Sequence, residues 1–191
     1  MKSKLKIPLI PSLSEIDEYF IENNLNFLVK KQNKNIETTF QPNKLDLYFL
    51  HQIIIQNKRT TILELGCGWS TLVMLDAINK NKIKYRKTAK DLRRNNLFEI
   101  HSVDNYKNYI NHCKKNVNNH LNSNNLSIKY SKCEIGLFKD RYVTYYKDIP
   151  RINPDLIYID GPSQFGIKEN SKYNFNTDNI DFMPMSADIL K

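Results

Sequence analysis

The segment Thr61-Ile62-Leu63-Glu64-Leu65-Gly66-Cys67-Gly68-Trp69-Ser70-Thr71 constrains the fold more than any other: an apolar run breaks into glycines, and helical spacing follows. Ile62, Leu63 and Leu65, bounded by turn residues, read as a buried central strand of a parallel sheet. Gly66 and Gly68 remove two Cβ atoms where the backbone must turn sharply and where a ligand comes close to the main chain. Leu72, Val73, Leu75 and Ile78 then mark a helix, with Ser70 or Thr71 available as its cap. Strand, glycine turn and helix in this order make a ligand cradle.

Two further runs end in an acid. Leu97–Val103 leads into Asp104, and Asp155-Leu156-Ile157-Tyr158-Ile159 leads into Asp160-Gly161-Pro162. An acid at the end of the second strand offers two acceptor oxygens to a ribose diol. Asp104 stands thirty-six residues beyond Gly68, against roughly 20 in a minimal unit, and an insertion accounts for the excess. With a run at 126–132, four strands are legible, at about 61–65, 97–103, 126–132 and 155–160. Helices are expected at about 14–31 (apolar face Ile16, Tyr19, Phe20, Leu28), at 44–57 (Leu45, Tyr48, Phe49, Gln52, Ile55) and at 105–121 (Tyr106, Ile110, Cys113, Val117, Leu121). Residues 134–150 read as a hairpin or extended loop, 161–179 as a polar substrate loop, and Met185–Lys191 as the start of another helix.

The third glycine of the dinucleotide fingerprint would fall on Thr71, so that pattern fails. What stands instead, Glu64-x-Gly66-x-Gly68-x-Ser70, resembles the first motif of the class I S-adenosylmethionine-dependent methyltransferases. The run "DLIYIDGP" is similar to the fourth strand of their O-methyltransferase-like members, and the resemblance covers about residues 42 to 191. It implies an α/β, Rossmann-like parallel sheet in three αβα layers, with residues 1–58 as an N-terminal helical cap and 59–191 as the core. It implies that S-adenosyl-L-methionine is the cofactor, its methionine end held by Glu64, Gly66, Gly68 and Ser70 and its ribose by Asp104. Cys133 and Glu134 would stand near the adenine, and Asp160 would be the base that takes the acceptor's proton.

The implied activity is methyl transfer to a hydroxyl or amine of a small molecule or glycan. The pattern argues against a nucleic-acid substrate: the fourth strand end lacks the second proline and the adjoining aromatic found in enzymes that methylate base amines. The family sheet has seven strands and only four are read here, so the expectation is a chain truncated before the fifth strand. Its fourth strand would then be an exposed apolar edge, with self-association and loss of activity as consequences. A non-catalytic cofactor-binding module is the alternative from another class. An NAD-type oxidoreductase is the weaker one, given Thr71 and the lack of a Tyr-x-x-x-Lys signature.

The net charge of +9 is concentrated. Between Lys80 and Arg94, eight cations face the single acid Asp91, which leaves the remainder close to neutral. This basic insertion, 80–94, follows the first core helix, and a helix-to-strand connection lies at the edge of a parallel sheet opposite the ligands. It reads as a solvated surface, open to an acidic partner or a membrane surface. No run of about 18 apolar residues suggests a membrane span, and Lys6, Pro8 and Pro11 interrupt any signal-like core. Three cysteines without C-x-x-C spacing suggest a reduced, cytoplasmic protein. His51 is expected to be a satisfied core or surface histidine, and His112, Cys113 and His120 lack a ligand set for a metal.

Overall fold

The computed structural model describes residues 10–29, 42–162 and 185–190. Helix α1, Leu13–Glu22, begins in a capping box in which the Ser12 hydroxyl accepts from Glu15 N and the Glu15 carboxylate accepts from Ser12 N. It is shorter than its apolar spacing suggests. Asn24 turns to φ 61°, and the chain resumes as a 3-10 turn at Asn26–Leu28. Ile16, Phe20, Leu25 and Leu28 pack against Leu47 of helix α2, Lys44–Gln56, and against Val73 beyond it.

Asn43 caps α2 by accepting from Leu45 N and Asp46 N. The buried stripe of α2 is Leu47, Leu50, His51 and Ile54. Phe49, expected on the apolar face, is exposed instead, whereas Leu45, Tyr48 and Ile55 are half-buried flanks. The helix packs on α1 with one side and on the core with the other, so apolar residues occupy most of its circumference and the face is rotated.

Strand β1, Thr61–Leu65, is buried at every position. It leads through the glycine turn into α3, Trp69–Tyr85. Next come β2, Glu99–Asp104, helix α4, Lys107–His120, and β3, Leu126–Tyr130. A hairpin follows, β4 Cys133–Phe138 and β5 Arg141–Tyr146, and then β6, Leu156–Ile159. Strands β3, β2, β1 and β6 form, in that order, one parallel sheet. The chain is thus α/β, with β1 in the interior and β6 added on its far side.

Alternation along β1 divides the core. Ile62 joins Leu72, Leu75, Ile78, Ile100, Ile110 and Val117 under the helices, whereas Leu63 and Leu65 join Val103, Cys133, Ile135 and Tyr146 under the hairpin. Among the described elements, helices cover one face and the hairpin covers the other. The entry of the sheet is clasped by Asp155. Its carboxylate accepts from Thr60 N, Thr61 N and the Thr60 hydroxyl at 2.9–3.1 Å, which fixes β6 in register with β1 across 95 residues of chain.

Residues 185–190 do not begin a helix after the fourth parallel strand. Met185–Ser186, β7, pairs in parallel with β5, and Asp188–Leu190 forms a 3-10 turn. A long-range contact decides this: the Asp188 carboxylate accepts from Tyr146 N at 2.7 Å and from the Ser186 hydroxyl at 2.8 Å, and Ala187 N reaches Thr144 O. Among the described residues β6 pairs only with β1, and Ile157 and Ile159 are each 41% exposed. The polar stretch expected to bind substrate lies, from residue 163 onward, outside the described residues. No described helix is long and apolar enough to cross a membrane.

Candidate functional site

In the sheet order β3-β2-β1-β6, successive strands step one way from β1 and then return to its other side, so the order reverses between β1 and β6. Crevices form at the carboxyl ends of strands at such a reversal. The two turns that leave these strands touch. Gly66 has φ 95°, and a Cβ there would stand 2.7 Å from Gly161 N and 2.9 Å from the Asp160 carbonyl carbon. Only glycine allows this approach. Gly68 differs: a Cβ there would meet nothing within 4 Å, so the side of the turn at Gly68 is open.

Glu64 lies beneath the turn, with no exposed surface. Its carboxylate accepts from the Ser70 hydroxyl at 2.6 Å, the Thr71 hydroxyl at 2.7 Å and the Ser102 hydroxyl. The Thr71 hydroxyl also accepts from Gly68 N at 3.0 Å. Ser70 and Thr71 therefore do not cap α3 from the N-cap position. The helix starts at Trp69 with Gly68 in the cap place, and both hydroxyls turn back to Glu64 because a buried carboxylate without donors is costly. Burial pushes the Glu64 carboxyl up to about 7 against the pull of the three hydroxyls. Glu64 is thus a staple joining β1, α3 and β2.

Asp104 is 4% exposed, and each of its oxygens accepts a main-chain hydrogen bond, from Cys67 N at 2.8 Å and Tyr106 N at 2.7 Å. Its pKa is raised by burial, which outweighs these bonds. The Asn105 main-chain N–H and the Cys67 thiol also interact with this carboxylate and favour its charged form. Asp160 is exposed at the end of β6, and its pKa is raised by desolvation and by the neighbouring carboxylates of Asp46 and Asp104.

The structure thus brings Glu64, Gly66, Gly68, Ser70, Asp104 and Asp160 around one turn. Cys133 and Glu134 belong to the hairpin. The Cys133 thiol is buried against Leu65, Val103 and Tyr146, with its pKa raised to about 12 by that burial, and Glu134 is ion-paired to Lys147 at 2.8 Å.

Two residues of this edge have no clear signal in the sequence. Tyr146 is 1% exposed, and its hydroxyl has no hydrogen-bond partner among the described residues. The oxygen would stand 2.9 Å from a Cβ on Gly161, directly behind the junction of the two turns. The only hint is its place in an aromatic-rich run. Asp46, in the first turn of α2, faces Asp160 closely enough to raise its pKa.

His51 is a fully buried, satisfied histidine, with one ring nitrogen 2.5 Å from the Tyr19 hydroxyl and the other 2.8 Å from Asp76. His112 pairs with Asn116 and His120 stacks on Phe27. Among the described residues no group of three or more His, Cys, Asp or Glu is placed to hold a metal ion. Compared with protein-family models and with curated proteins, the chain matches none.

Proposed function

We propose that the chain is an S-adenosylmethionine-dependent methyltransferase acting on a hydroxyl or amine of a small molecule or glycan. The observation that carries this reading is the pair of abutting turns at the β1/β6 reversal, open at Gly68 and flanked by Asp104 and Asp160. The residues present fit the cofactor in this way: Gly66 and Gly68 would hold its methionine end along the main chain, and the Asp104 carboxylate, at the end of β2 beside the turn, would take the ribose hydroxyls. Glu64 and Ser70 would serve that site by fixing the turn, since the carboxylate is spent on hydroxyls. Cys133 and Glu134, carried by the hairpin, would stand on the adenine side. When bound, S-adenosylmethionine supplies an electrophilic methyl group.

The chain's own residues align and deprotonate. Rate comes mainly from holding the acceptor atom at about 3 Å in line with the methyl group. Asp160 is the group at this edge that both reaches solvent and has a raised pKa, which makes it a stronger proton acceptor than an ordinary aspartate. A hydroxyl or ammonium acceptor would give its proton to the Asp160 carboxylate as its lone pair is turned toward the methyl group.

Titration calorimetry with S-adenosylmethionine and with NAD tests the cofactor, and transfer of labelled methyl to a panel of acceptors tests the activity. Asp160→Asn is expected to keep cofactor affinity and lose at least about tenfold in transfer rate. Binding of NAD in preference to S-adenosylmethionine would refute the proposal. Binding without transfer to any acceptor would favour a binding module.

A further inference from the structure

The basic segment is a structured face. Helix α3 ends at Tyr85, but Arg86 and Lys87 keep right-handed helical dihedrals, and a 3-10 turn at Thr88–Asp91 follows directly. The backbone is therefore helical from Trp69 to Asp91. Ile78, Asn81 and Ala89 are buried on the inner side of this arm, with Tyr85 half-buried between them. At helical spacing the outer side carries Lys82, Ile83, Arg86, Lys87 and Lys90, all exposed.

Two of the eight cations are engaged inward. The Lys80 amine donates to Asn23 O at 2.9 Å and to Asp76, and Arg94 donates to Asn153 O at 3.1 Å. The other six, including Lys84 and Arg93, are exposed. Ile83 stands 80% exposed among them, and Leu92 is 47% exposed just beyond the turn.

We propose that this face docks on an anionic lipid surface, with the cations against phosphoryl headgroups and Ile83 entering the interface. Each basic side chain near such a surface strengthens association about fivefold. The apolar tip favours lipid over nucleic acid, because an exposed isoleucine gains nothing against a ribbon of phosphates. The segment's aromatic, Tyr85, is half-buried with the Lys58 and Lys84 amines over its ring, so it is not offered to a base. The arm leaves the sheet at its amino edge and the candidate cradle opens at the carboxyl edge, so docking leaves the cradle accessible.

The test is co-sedimentation of the full chain with vesicles of phosphatidylcholine, with and without phosphatidylglycerol. Binding is expected only where phosphatidylglycerol is present, and it should weaken as salt rises. Reversing Lys82, Arg86 and Lys87 together to Glu should lower it at least about a hundredfold, and Ile83→Ser about tenfold. Thermal melts should be unchanged, since these side chains are exposed. If the triple variant melts early, Lys87→Glu with Lys90→Glu, both beyond α3, replaces it. Equal binding to phosphatidylcholine alone, or no binding to either vesicle, would overturn the proposal. So would tighter binding to a DNA duplex than to phosphatidylglycerol vesicles, or indifference to Ile83→Ser.

Discussion

Glu64 is a buried acid stabilised by hydroxyls, and it should make the protein lose stability as the pH rises. Its carboxyl is raised from 4.5 to about 7, chiefly by burial. Between those values the folded protein holds a proton that the unfolded chain has released. The contribution is therefore complete below the unfolded pKa and is lost as the pH climbs through the folded one. At about 1.4 kcal/mol per pH unit, the interval amounts to about 3 kcal/mol. Glu64→Gln stays neutral throughout, and because hydroxyls both donate and accept, the three around it can reorient to satisfy an amide. Urea denaturation at about pH 5 and about pH 8 should show wild type losing about 3 kcal/mol relative to Glu64→Gln. Taking the difference cancels Asp104, whose pKa is also raised, and leaves the coupling of Glu64 to Asp160 as part of the Glu64 effect. Parallel pH profiles for the two proteins would refute the reasoning and mean that the carboxylate is ionised in its cluster of hydroxyls.

The two glycines of the turn should separate folding from binding. Gly66→Ala drives a Cβ into Gly161 and should cost about 2 kcal/mol or more in a denaturant melt, whereas Gly68→Ala should melt normally yet bind S-adenosylmethionine at least about tenfold more weakly by calorimetry. Asp104→Ala removes the acceptor of Cys67 N and Tyr106 N and should cost about 2 kcal/mol of stability. It should also weaken the cofactor about tenfold, and an unchanged dissociation constant would move the ribose site elsewhere. His51→Leu leaves the Tyr19 hydroxyl and the Asp76 carboxylate short of a partner and should cost about 3 kcal/mol by denaturation, with cofactor affinity unaltered.

Much of the parallel sheet was legible because its strands carry uniform apolar runs that stop at glycines and acids. Thr61–Leu65 coincides with the run that predicts it, and the remaining strands shift by a residue or two at their ends. The face of α2 was not legible, since a helix packed on two sides has no single apolar stripe. Residues 185–190 carry a helical pattern, but the decisive contact, Asp188 to Tyr146 N, comes from forty-two residues away. At the site, the proximity of Glu64 to Ser70 and Thr71 follows from a short turn, whereas Ser102 arrives from the neighbouring strand thirty-eight residues on. Tyr146 was hidden for the same reason: its hydroxyl meets Gly161 only because the hairpin folds across the back of the sheet.

The clasp of Asp155 on Thr60 and Thr61 has a consequence for synthesis. Strand β1 emerges from the ribosome early, but its partner β2 follows about thirty-eight residues later and β6 about ninety-five residues later. While the intervening chain is being made, Ile62, Leu63 and Leu65 present an open strand edge to whatever is nearby. At about 5–20 residues per second that interval lasts several seconds, far longer than the microseconds a hairpin needs to form. A nascent chain halted before residue 155 should therefore recruit chaperones or aggregate, and release from them should coincide with the arrival of Asp155.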